Sequence, residues 1–328
     1  MSRVSLVLIS IVFLMSINGD ISASGLGLVG SIPLPGVRGR LDHMAVDTEG
    51  QRLFVAAHDN GTVEVVDLAE RKSAGRLVGL SGPQGVLFLS GYRRLFVSEG
   101  GTGECRVYDS GSLVLLKKLE YGSDADNLRY DSATRTVWLG YGSGGLAVID
   151  AASCAGQAEI LLGGHPEAFE LERDGGSAFF NVPDLGLVGR ADRKSRTIVK
   201  KFFLRTASAN FSLCLDEAGE RVFVGCRFPP RLLVLDAGLT GVVATIGLDG
   251  DQDDIWFDPR RNRLYVSCGS GYIDVVAGTG RDSYRLEERI RTRTGARTSL
   301  FVPERGLLYL AVPASPGKSA EIRIYRAN

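Results

Sequence analysis

The sequence predicts an all-β protein: one seven-bladed β-propeller of four-stranded blades, with its ring closed by the N-terminal strand. Three observations predict this fold. A short apolar run with a central aromatic residue returns about every 42 residues. Further runs of alternating apolar and polar residues follow it, separated by Gly, Asp and Pro, a pattern typical of strands and turns. Helical periodicity is nearly absent, and a repeat of this length built from short strands is typical of propeller blades.

The aromatic run marks the second strand of each blade. It takes forms such as Leu53-Phe-Val, Val137-Trp-Leu and Leu308-Tyr-Leu. The central aromatic residues lie 41 to 44 residues apart and are Phe54, Phe96, Trp138, Phe179, Phe223, Tyr265 and Tyr309. Seven aromatic residues in this register predict seven blades.

The other strands of each blade follow a common order. A first strand precedes the aromatic run, as in Met44–Asp47, and a third strand ends in Asp, as in Val63–Asp67. A more polar fourth strand completes the unit, as in Val114–Leu119. The last repeat stops after its third strand, Glu321–Arg326, and the segment Leu26–Gly36 has the pattern of a fourth strand. We therefore expect the N-terminal strand to complete the seventh blade, which removes the free edges of the ring.

The repeats resemble a known family. Leu53-Phe-Val-Ala56, Leu95-Phe-Val-Ser98 and Leu264-Tyr-Val-Ser267, each before a Gly-rich loop, are similar to the YVTN-type β-propeller repeat, and the resemblance covers residues 26–328. The chain departs from that motif at its fourth letter, where Asn181 alone keeps the usual Asn. The resemblance implies a seven-bladed and usually exported propeller. It implies no single activity, because one fold serves many functions.

The first residues have a different character from the rest. A basic start is followed by the apolar run Val4–Met15 and by small residues up to Ser24. This pattern predicts a signal peptide over residues 1–24 and an exported protein, periplasmic or secreted, that consists of one propeller domain over residues 25–328. An uncleaved membrane anchor is the alternative. We expect no membrane span in the mature chain, because no later apolar run is long enough.

Composition excludes one class of partner. Lys plus Arg equals Asp plus Glu, at 38 each in 328 residues, and nucleic-acid binders usually carry a basic surplus. We therefore expect no nucleic-acid partner. The five cysteines form no C-x-x-C pair, so the sequence does not support a zinc ribbon or a thioredoxin-like site. One or two disulfides remain open.

Charged residues fall at one end of the expected central channel. We call the face that carries the links into the first strands, and the loops after the aromatic strands, the top face. Counting back from the aromatic residues gives a first column at the channel mouth: Asp42, Gln84, Asp126, Glu167, Phe211, Asp253 and Arg297. The second column is His43, Gly85, Asn127, Ala168, Ser212, Asp254 and Thr298.

Two kinds of chemistry suit these columns. Clustered oxygen ligands could hold a divalent cation such as Ca²⁺ or Mg²⁺, for which Asp42, Asp126, Glu167 and Asp253 are the candidates. Like charges held close together also raise carboxyl pKa values, which suits acid–base chemistry. The alternative is a solvated polar mouth in which Arg297 and water balance the acids.

Histidine and cysteine supply further top-face candidates. His43 and His58 belong to the first blade and His165 to the fourth, so we expect His165 to lie across the ring from the other two. Each is interpreted as a general base beside Asp42 or Glu167, or as a surface residue in a turn. Cys226 and Cys268 occupy equivalent positions in adjacent blades; they are candidates for a soft-metal site or for buried core thiols.

These features favour a binding or interaction module that takes a small ligand or an exported partner protein through its top face. Candidate aromatic anchors on that face are Phe211, Tyr141, Phe228 and Tyr272. The alternative is a lactonase- or lyase-like hydrolase that uses the acidic channel mouth, with or without a divalent cation. A third possibility, implied by the family resemblance alone, is service to a cofactor-bearing partner in an exported redox system.

Overall fold

The computed structural model describes residues 25–328. Over this range the backbone forms seven separate four-stranded antiparallel sheets, so the predicted seven-bladed β-propeller is confirmed. The predicted signal peptide, residues 1–24, lies outside the described residues. Within residues 25–328 no helix has the length and apolar character that crossing a membrane requires.

Residues 25–328 contain 28 strands. Along the chain each blade runs from its innermost to its outermost strand, except that β1 is the outermost strand of blade 7. Blades 1 to 3 contain β2 Met44–Asp47, β3 Arg52–Ala57, β4 Thr62–Asp67, β5 Lys72–Leu77; β6 Pro83–Leu89, β7 Arg94–Glu99, β8 Glu104–Asp109, β9 Leu115–Glu120; β10 Leu128–Asp131, β11 Thr136–Tyr141, β12 Gly145–Asp150, β13 Gly156–Leu161. Blades 4 and 5 contain β14 Ala168–Leu171, β15 Ser177–Val182, β16 Leu187–Asp192, β17 Thr197–Phe203; β18 Ser208–Asp216, β19 Arg221–Phe228, β20 Pro230–Asp236, β21 Val242–Gly247. Blades 6 and 7 contain β22 Gln252–Asp258, β23 Arg263–Cys268, β24 Tyr272–Gly280, β25 Ser283–Arg291; β26 Ser299–Val302, β27 Leu307–Val312, β28 Ala320–Ala327 and β1 Leu26–Leu34. Short 3-10 turns lie at His58–Asn60, Ser90–Tyr92 and Pro183–Leu185.

The ring closes at the seventh blade as the sequence predicts. Strand β1 pairs antiparallel with β28, in a register that sets Leu26 opposite Ala327 and Leu34 opposite Ala320. Ile32 and Leu34 are fully buried in a cluster that also contains side chains of blades 1 and 7. The N-terminal strand therefore supplies both a hydrogen-bonded edge and apolar packing to the closing blade.

The aromatic residues pack between neighbouring blades. All seven lie on second strands and are at most 2% exposed. The buried apolar residues form clusters that each join two adjacent blades, as where Phe54 of blade 1 meets Leu95 of blade 2. Burial of large rings at equivalent positions explains the repeat, because a propeller core is a ring of sheet-on-sheet contacts.

The Asp that ends the third strand has a local role. In Asp67, Asp109 and Asp150 one carboxylate oxygen accepts backbone hydrogen bonds from residues two and three positions on, with distances of 2.7 to 3.2 Å. Such Asx turns replace the hydrogen bonds that the strand leaves unmade at its end. They lower the pKa of Asp109 and of Asp150. The repeated Asp is therefore a turn residue at the bottom of the blades.

All five cysteines are buried free thiols. The disulfides that the sequence left open are therefore not formed among residues 25–328. Cys226 and Cys268 are fully buried and belong to two different apolar clusters. Burial raises the pKa of Cys226 to about 12 and that of Cys268 higher still, so both act as small apolar core residues, and the soft-metal interpretation has no support in the structure.

Candidate functional site

The channel mouth is built by the links into the innermost strands. In each blade a residue of the second column lies opposite the fourth residue of the aromatic run. In blade 1 the Asp42 amide donates to the Ala56 carbonyl (2.8 Å) and the Ala56 amide donates to the His43 carbonyl (3.1 Å). Blade 3 repeats this pairing at Asp126 and Gly140 (2.9 Å). Because the pairing returns around the ring, the first-column side chains converge on one opening.

His43 lies close to the axis of that opening. Its ring nitrogens are 3.7 Å from Asp42, 3.8 Å from Asp126 and 3.6 Å from Asp254, and these carboxylates belong to blades 1, 3 and 6. Burial by itself would lower the pKa of His43, but the charge and hydrogen bonding of Asp254, followed by the charges of Asp42 and Asp126, raise it to about 10. His43 is therefore an imidazolium at neutral pH, and it neutralises part of the acidic column from the centre.

Two of the four predicted metal ligands, Asp42 and Asp253, form ion pairs with arginines. Arg40 lies 2.5 Å from Asp42. Arg227 lies 2.7 Å and Arg297 3.2 Å from Asp253. Because the carboxylates of Asp42 and Asp253 are engaged in these ion pairs, both residues are poor metal ligands. The solvated-mouth interpretation, in which Arg297 balances acids, therefore describes this side of the opening.

The opposite side of the mouth, between blades 3 and 4, has a different arrangement. Asp126, His165 and Glu167 each offer a ligand atom, and these atoms all lie within 4.8 Å of one another. The His165 Nε2 is 3.9 Å from Asp126 and 3.8 Å from Asp124. Burial raises the pKa of Asp126, and the charges of Asp42 and Glu167 add to the rise. Burial and then the charge of Asp253 raise the pKa of Glu167 to about 7.

The cluster brings His165 and His43 closer together than their blades suggest. They belong to blades 4 and 1, as the sequence predicts, yet both rings lie within 4 Å of Asp126. The channel is so narrow at its mouth that side chains from distant blades meet there. His58 is not part of this group: its Nδ1 lies 2.7 Å from the neighbouring Asp59 in the 3-10 turn after β3.

Three polar residues of the columns hold their neighbours in place. Gln84 donates from Nε2 to Asp124 (2.8 Å) and accepts from Arg40 (3.3 Å). Asn127 donates from Nδ2 to the backbone carbonyl of Glu167 (2.7 Å). Asp254 accepts the backbone N–H of Ser299 (2.7 Å). Each of these hydrogen bonds joins two blades, so together they hold the residues of the mouth in position.

The four candidate aromatic anchors have different environments. Phe211 lies at the mouth, and the guanidinium carbon of Arg227 is 3.6 Å from its ring centroid, a cation–π contact. Phe228 is 67% exposed. Tyr272 packs against the core of blades 5 and 6. Tyr141 is buried, donates to Glu159 (2.7 Å) and stacks on Tyr121, so its interpretation as an exposed anchor is wrong.

Charged residues beyond the predicted columns also line the channel. Arg40, Asp124, His165 and Asp251 stand two residues before the first column, and period-two alternation along a strand could have found them. Two residues after the second column, Arg129 pairs with Glu170 (2.8 Å), and Trp256 donates to Ser299 (3.1 Å). Each of these three lies opposite an aromatic residue of the second strand. The Arg129–Glu170 pair and Trp256 narrow the channel below the mouth.

Comparisons with known proteins support the fold. Neither a family model nor a curated protein matches the chain, and the YVTN-type resemblance therefore stays an expectation from the repeats. A solved structure of hydrazine synthase from Kuenenia stuttgartiensis superposes with a TM-score of 0.75 at 17% sequence identity, and the alignment covers 88% of this chain and 98% of that chain. At this identity the likeness shows a shared β-propeller fold.

Proposed function

We propose that the chain is an exported β-propeller that binds a small ligand at the mouth of its central channel on the top face. The observation that supports the proposal is the convergence of charged side chains from different blades on one narrow opening. Asp42, His43, Asp126, Glu167 and Asp253 all line it. Sites of this kind, with a few convergent polar groups and shifted pKa values, are where propellers and other scaffolds bind ligands.

The chemistry of the mouth favours a small polar ligand that carries positive charge. Acidic side chains there outnumber the arginines, which are already engaged with Asp42, Asp251 and Asp253. The enclosed part of the cavity is about 20 Å³, room for about one water molecule or an ion. A larger ligand would rest on the rim, against Phe211 and Arg227. An exported partner protein is the other occupant of this face, and it would have to insert a side chain into the same opening.

A thermal-shift screen tests the proposal. The probes are small amines, amino acids and polyols at millimolar concentration, applied in metal-free buffer to the wild type, to Phe211→Ala and to Phe228→Ala. Phe228 is the matched control because it is an exposed aromatic residue that is not among those lining the mouth. We expect compounds that raise the melting temperature of wild type and Phe228→Ala but not of Phe211→Ala, because ligands stabilise by mass action. Absence of any such compound would contradict binding at the mouth.

Hydrolysis is the second candidate. One observation favours it: two carboxylates and a histidine, Glu167, Asp126 and His165, converge within 4.8 Å, as acid–base or cation-assisted hydrolysis requires. A panel of lactones tests it, with and without added divalent cation. Lactone ring opening by the wild type that is abolished in Glu167→Gln would establish the activity. Equal rates in the wild type and Glu167→Gln would contradict it.

Export is proposed from the sequence of residues 1–24. The intact mass of the protein recovered from a secreting host tests it. A mass that corresponds to cleavage near Ser24 is the expected result, and an uncleaved chain would favour the membrane-anchor alternative.

A further inference from the structure

We infer that Asp126, His165 and Glu167 form a binding site for one divalent transition-metal ion of the Zn²⁺ class at the channel mouth. This inference deepens the proposed function, on which it rests, because it names the cation that the mouth holds. It also departs from the sequence expectation, which placed Ca²⁺ or Mg²⁺ among Asp42, Asp126, Glu167 and Asp253.

The geometry of the three side chains supports the site. Their ligand atoms lie within 4.8 Å of one another, and Nε2 of His165 is 3.9 Å from the Asp126 carboxylate. Around a tetrahedral Zn²⁺ with bonds near 2.05 Å, donor atoms lie about 3.3 Å apart. Small side-chain rotations therefore bring the three donors to bonding distance without moving the strands.

Buried polar atoms without a partner are the second observation. The Asp126 side chain is 8% exposed, and its Oδ1 is buried without a hydrogen-bond partner among residues 25–328. Oδ1 faces His43 at 3.8 Å, which is longer than a hydrogen bond, while Oδ2 faces His165 at 3.9 Å. Within the same described residues, Nδ1 of His165 is also buried without a hydrogen-bond partner. Buried polar atoms without partners are costly, and a metal ion bound by both the Asp126 carboxylate and the His165 ring would compensate for them.

The distribution of the arginines also points to this side of the mouth. Asp42 and Asp253 have arginine partners at 2.5 to 3.2 Å. Over the described range, Asp126 and Glu167 have no ion pair with an arginine or a lysine. Buried charges are normally paired or bound to a metal. Asp126 has the His43 imidazolium at 3.8 Å in place of an arginine partner, so the acids between blades 3 and 4 are the ones best placed to bind a further cation.

The donor set selects the class of metal. Ca²⁺ takes six to eight oxygen ligands and Mg²⁺ demands a near-ideal octahedron of oxygens. One imidazole nitrogen and two carboxylates, with room for water, suit Zn²⁺ or its spectroscopic substitute Co²⁺ instead. The three protein ligands leave a further position open toward the mouth.

The backbone that carries the ligands is firmly held. Asn127 donates to the carbonyl of Glu167 (2.7 Å), and the hydroxyl of Ser98 donates to the carbonyl of Asp126. Glu167 stands directly before β14, and Asp126 two residues before β10. Sites on such supported strand ends are more precise than sites on free loops.

Calorimetric titration of the full-length protein tests the inference. Metal is first removed with chelator, and Zn²⁺ and Co²⁺ are then titrated into the wild type, Glu167→Gln and His165→Gln. We expect one equivalent of Zn²⁺ to bind the wild type, and each variant to bind at least about tenfold more weakly, because each loses one ligand. Bound Co²⁺ should give visible absorption bands of four- or five-coordinate geometry. Circular dichroism confirms that each variant is folded, and either variant suffices if the other fails to fold.

Asp59→Asn is the matched control. Asp59 is also a carboxylate beside a histidine on the top face, 2.7 Å from Nδ1 of His58, but it is not one of the residues that line the mouth, so the Zn²⁺ affinity of the variant should stay within about threefold of the wild type. The inference is overturned if the wild type binds neither Zn²⁺ nor Co²⁺. It is also overturned if Glu167→Gln and His165→Gln bind as tightly as the wild type, or if Asp59→Asn loses as much affinity as they do.

The two proposals fail separately. The thermal-shift screen for organic ligands is run in metal-free buffer and depends on Phe211. If the wild type binds no metal but still shows Phe211-dependent shifts in melting temperature, the metal site is overturned and the ligand site is retained. If it binds Zn²⁺ but no organic ligand, the ligand site is overturned and the metal site is retained as the function of the mouth.

Discussion

Asn181 shows how one buried side chain ties two blades to the mouth. Its Oδ1 accepts the backbone N–H of Ala168 (2.8 Å), and its Nδ2 donates to the carbonyl of Phe211 (3.0 Å). Ala168 directly follows Glu167, and Phe211 lies on the rim. Asn181 therefore fixes the backbone beside the candidate metal ligand Glu167.

Replacing Asn181 should destabilise the protein. Asn181→Ala leaves a buried N–H and a buried carbonyl without partners, for an expected loss of about 2 to 4 kcal/mol in the free energy of unfolding. Urea denaturation measures it. Asn60→Ala is the control: Asn60 also bonds to the backbone, at Arg38 (3.1 Å) and Gly36 (3.4 Å), but at an exposed turn where water can replace its side chain, so the loss should stay below about 1 kcal/mol. Equal effects in the two variants would contradict the bridging role.

Asp274 carries a prediction for pH dependence. It is fully buried on β24 and accepts the backbone N–H of Asp249 (2.7 Å). Burial raises the pKa of Asp274 to about 6, above an unfolded value of about 3.9. The folded state therefore holds this proton more tightly, so the free energy of unfolding falls as pH rises from about 4 through 6 and is level above.

Asp274→Asn should remove that slope. Asn cannot ionise but can still accept the Asp249 N–H. We expect the variant to gain about 1 to 2 kcal/mol relative to the wild type between pH 4 and pH 7. Urea denaturation of both proteins at pH 4, 5, 6 and 7 gives the difference between their free energies of unfolding as a function of pH. A difference that is constant with pH would show that Asp274 does not titrate in this range.

At the scale of elements, the first and second strands of a blade lie so close together at the mouth that small residues are required there. In blade 2, Ser98 on β7 lies against Gly85 on β6 and accepts its N–H (2.8 Å). In blade 5 the two residue types are exchanged, with Ser212 on β18 opposite Gly225 on β19. A Cβ on Gly85 would overlap the carbonyl oxygen of Asp126. In blades 2 and 5, one serine hydroxyl therefore faces a glycine across the first and second strands.

Gly85→Ala should affect stability and the mouth together. The added methyl must push the backbone of Asp126, at an expected cost of about 1 to 3 kcal/mol, and Zn²⁺ affinity should fall with it. Gly75→Ala is the control, because a Cβ on Gly75 in the outer strand β5 meets nothing within 4 Å. Denaturant titration and calorimetry measure both effects. An equal stability change in the two variants would contradict the close packing.

The strands could be predicted from the sequence because their cause is local. Alternation and the buried aromatic ring recur in every blade, so the pairing of residues such as Arg129 with Trp138 follows from counting. The residues at the mouth were reachable in the same way. Their partners could not be predicted in this way, because Arg227 contacts Asp253 of the next blade and His43 contacts Asp254 two blades away. Such contacts depend on the width of the channel and on side-chain rotamers, and neither can be predicted from the spacing of residues in the sequence.

At the scale of the whole molecule, β1 holds the ring closed. Ile32→Ala removes a fully buried side chain from the contact between blades 7 and 1, and should cost about 2 to 5 kcal/mol. We expect the closed ring to unfold as one unit, so the whole transition should shift to lower denaturant without splitting. Val29→Ala, at a position of the same strand that is 40% exposed, is the control. A separate early phase in Ile32→Ala would show that the closing blade unfolds alone.

The position of a bound metal ion tests the central claim most directly. A crystal of the full-length protein soaked with Co²⁺, measured at the cobalt absorption edge, locates the ion by its anomalous scattering. We predict a single strong peak between Asp126, His165 and Glu167, and no peak there in Glu167→Gln. A peak elsewhere, or no peak in the wild type, would contradict the claim that the channel mouth is a metal-binding site.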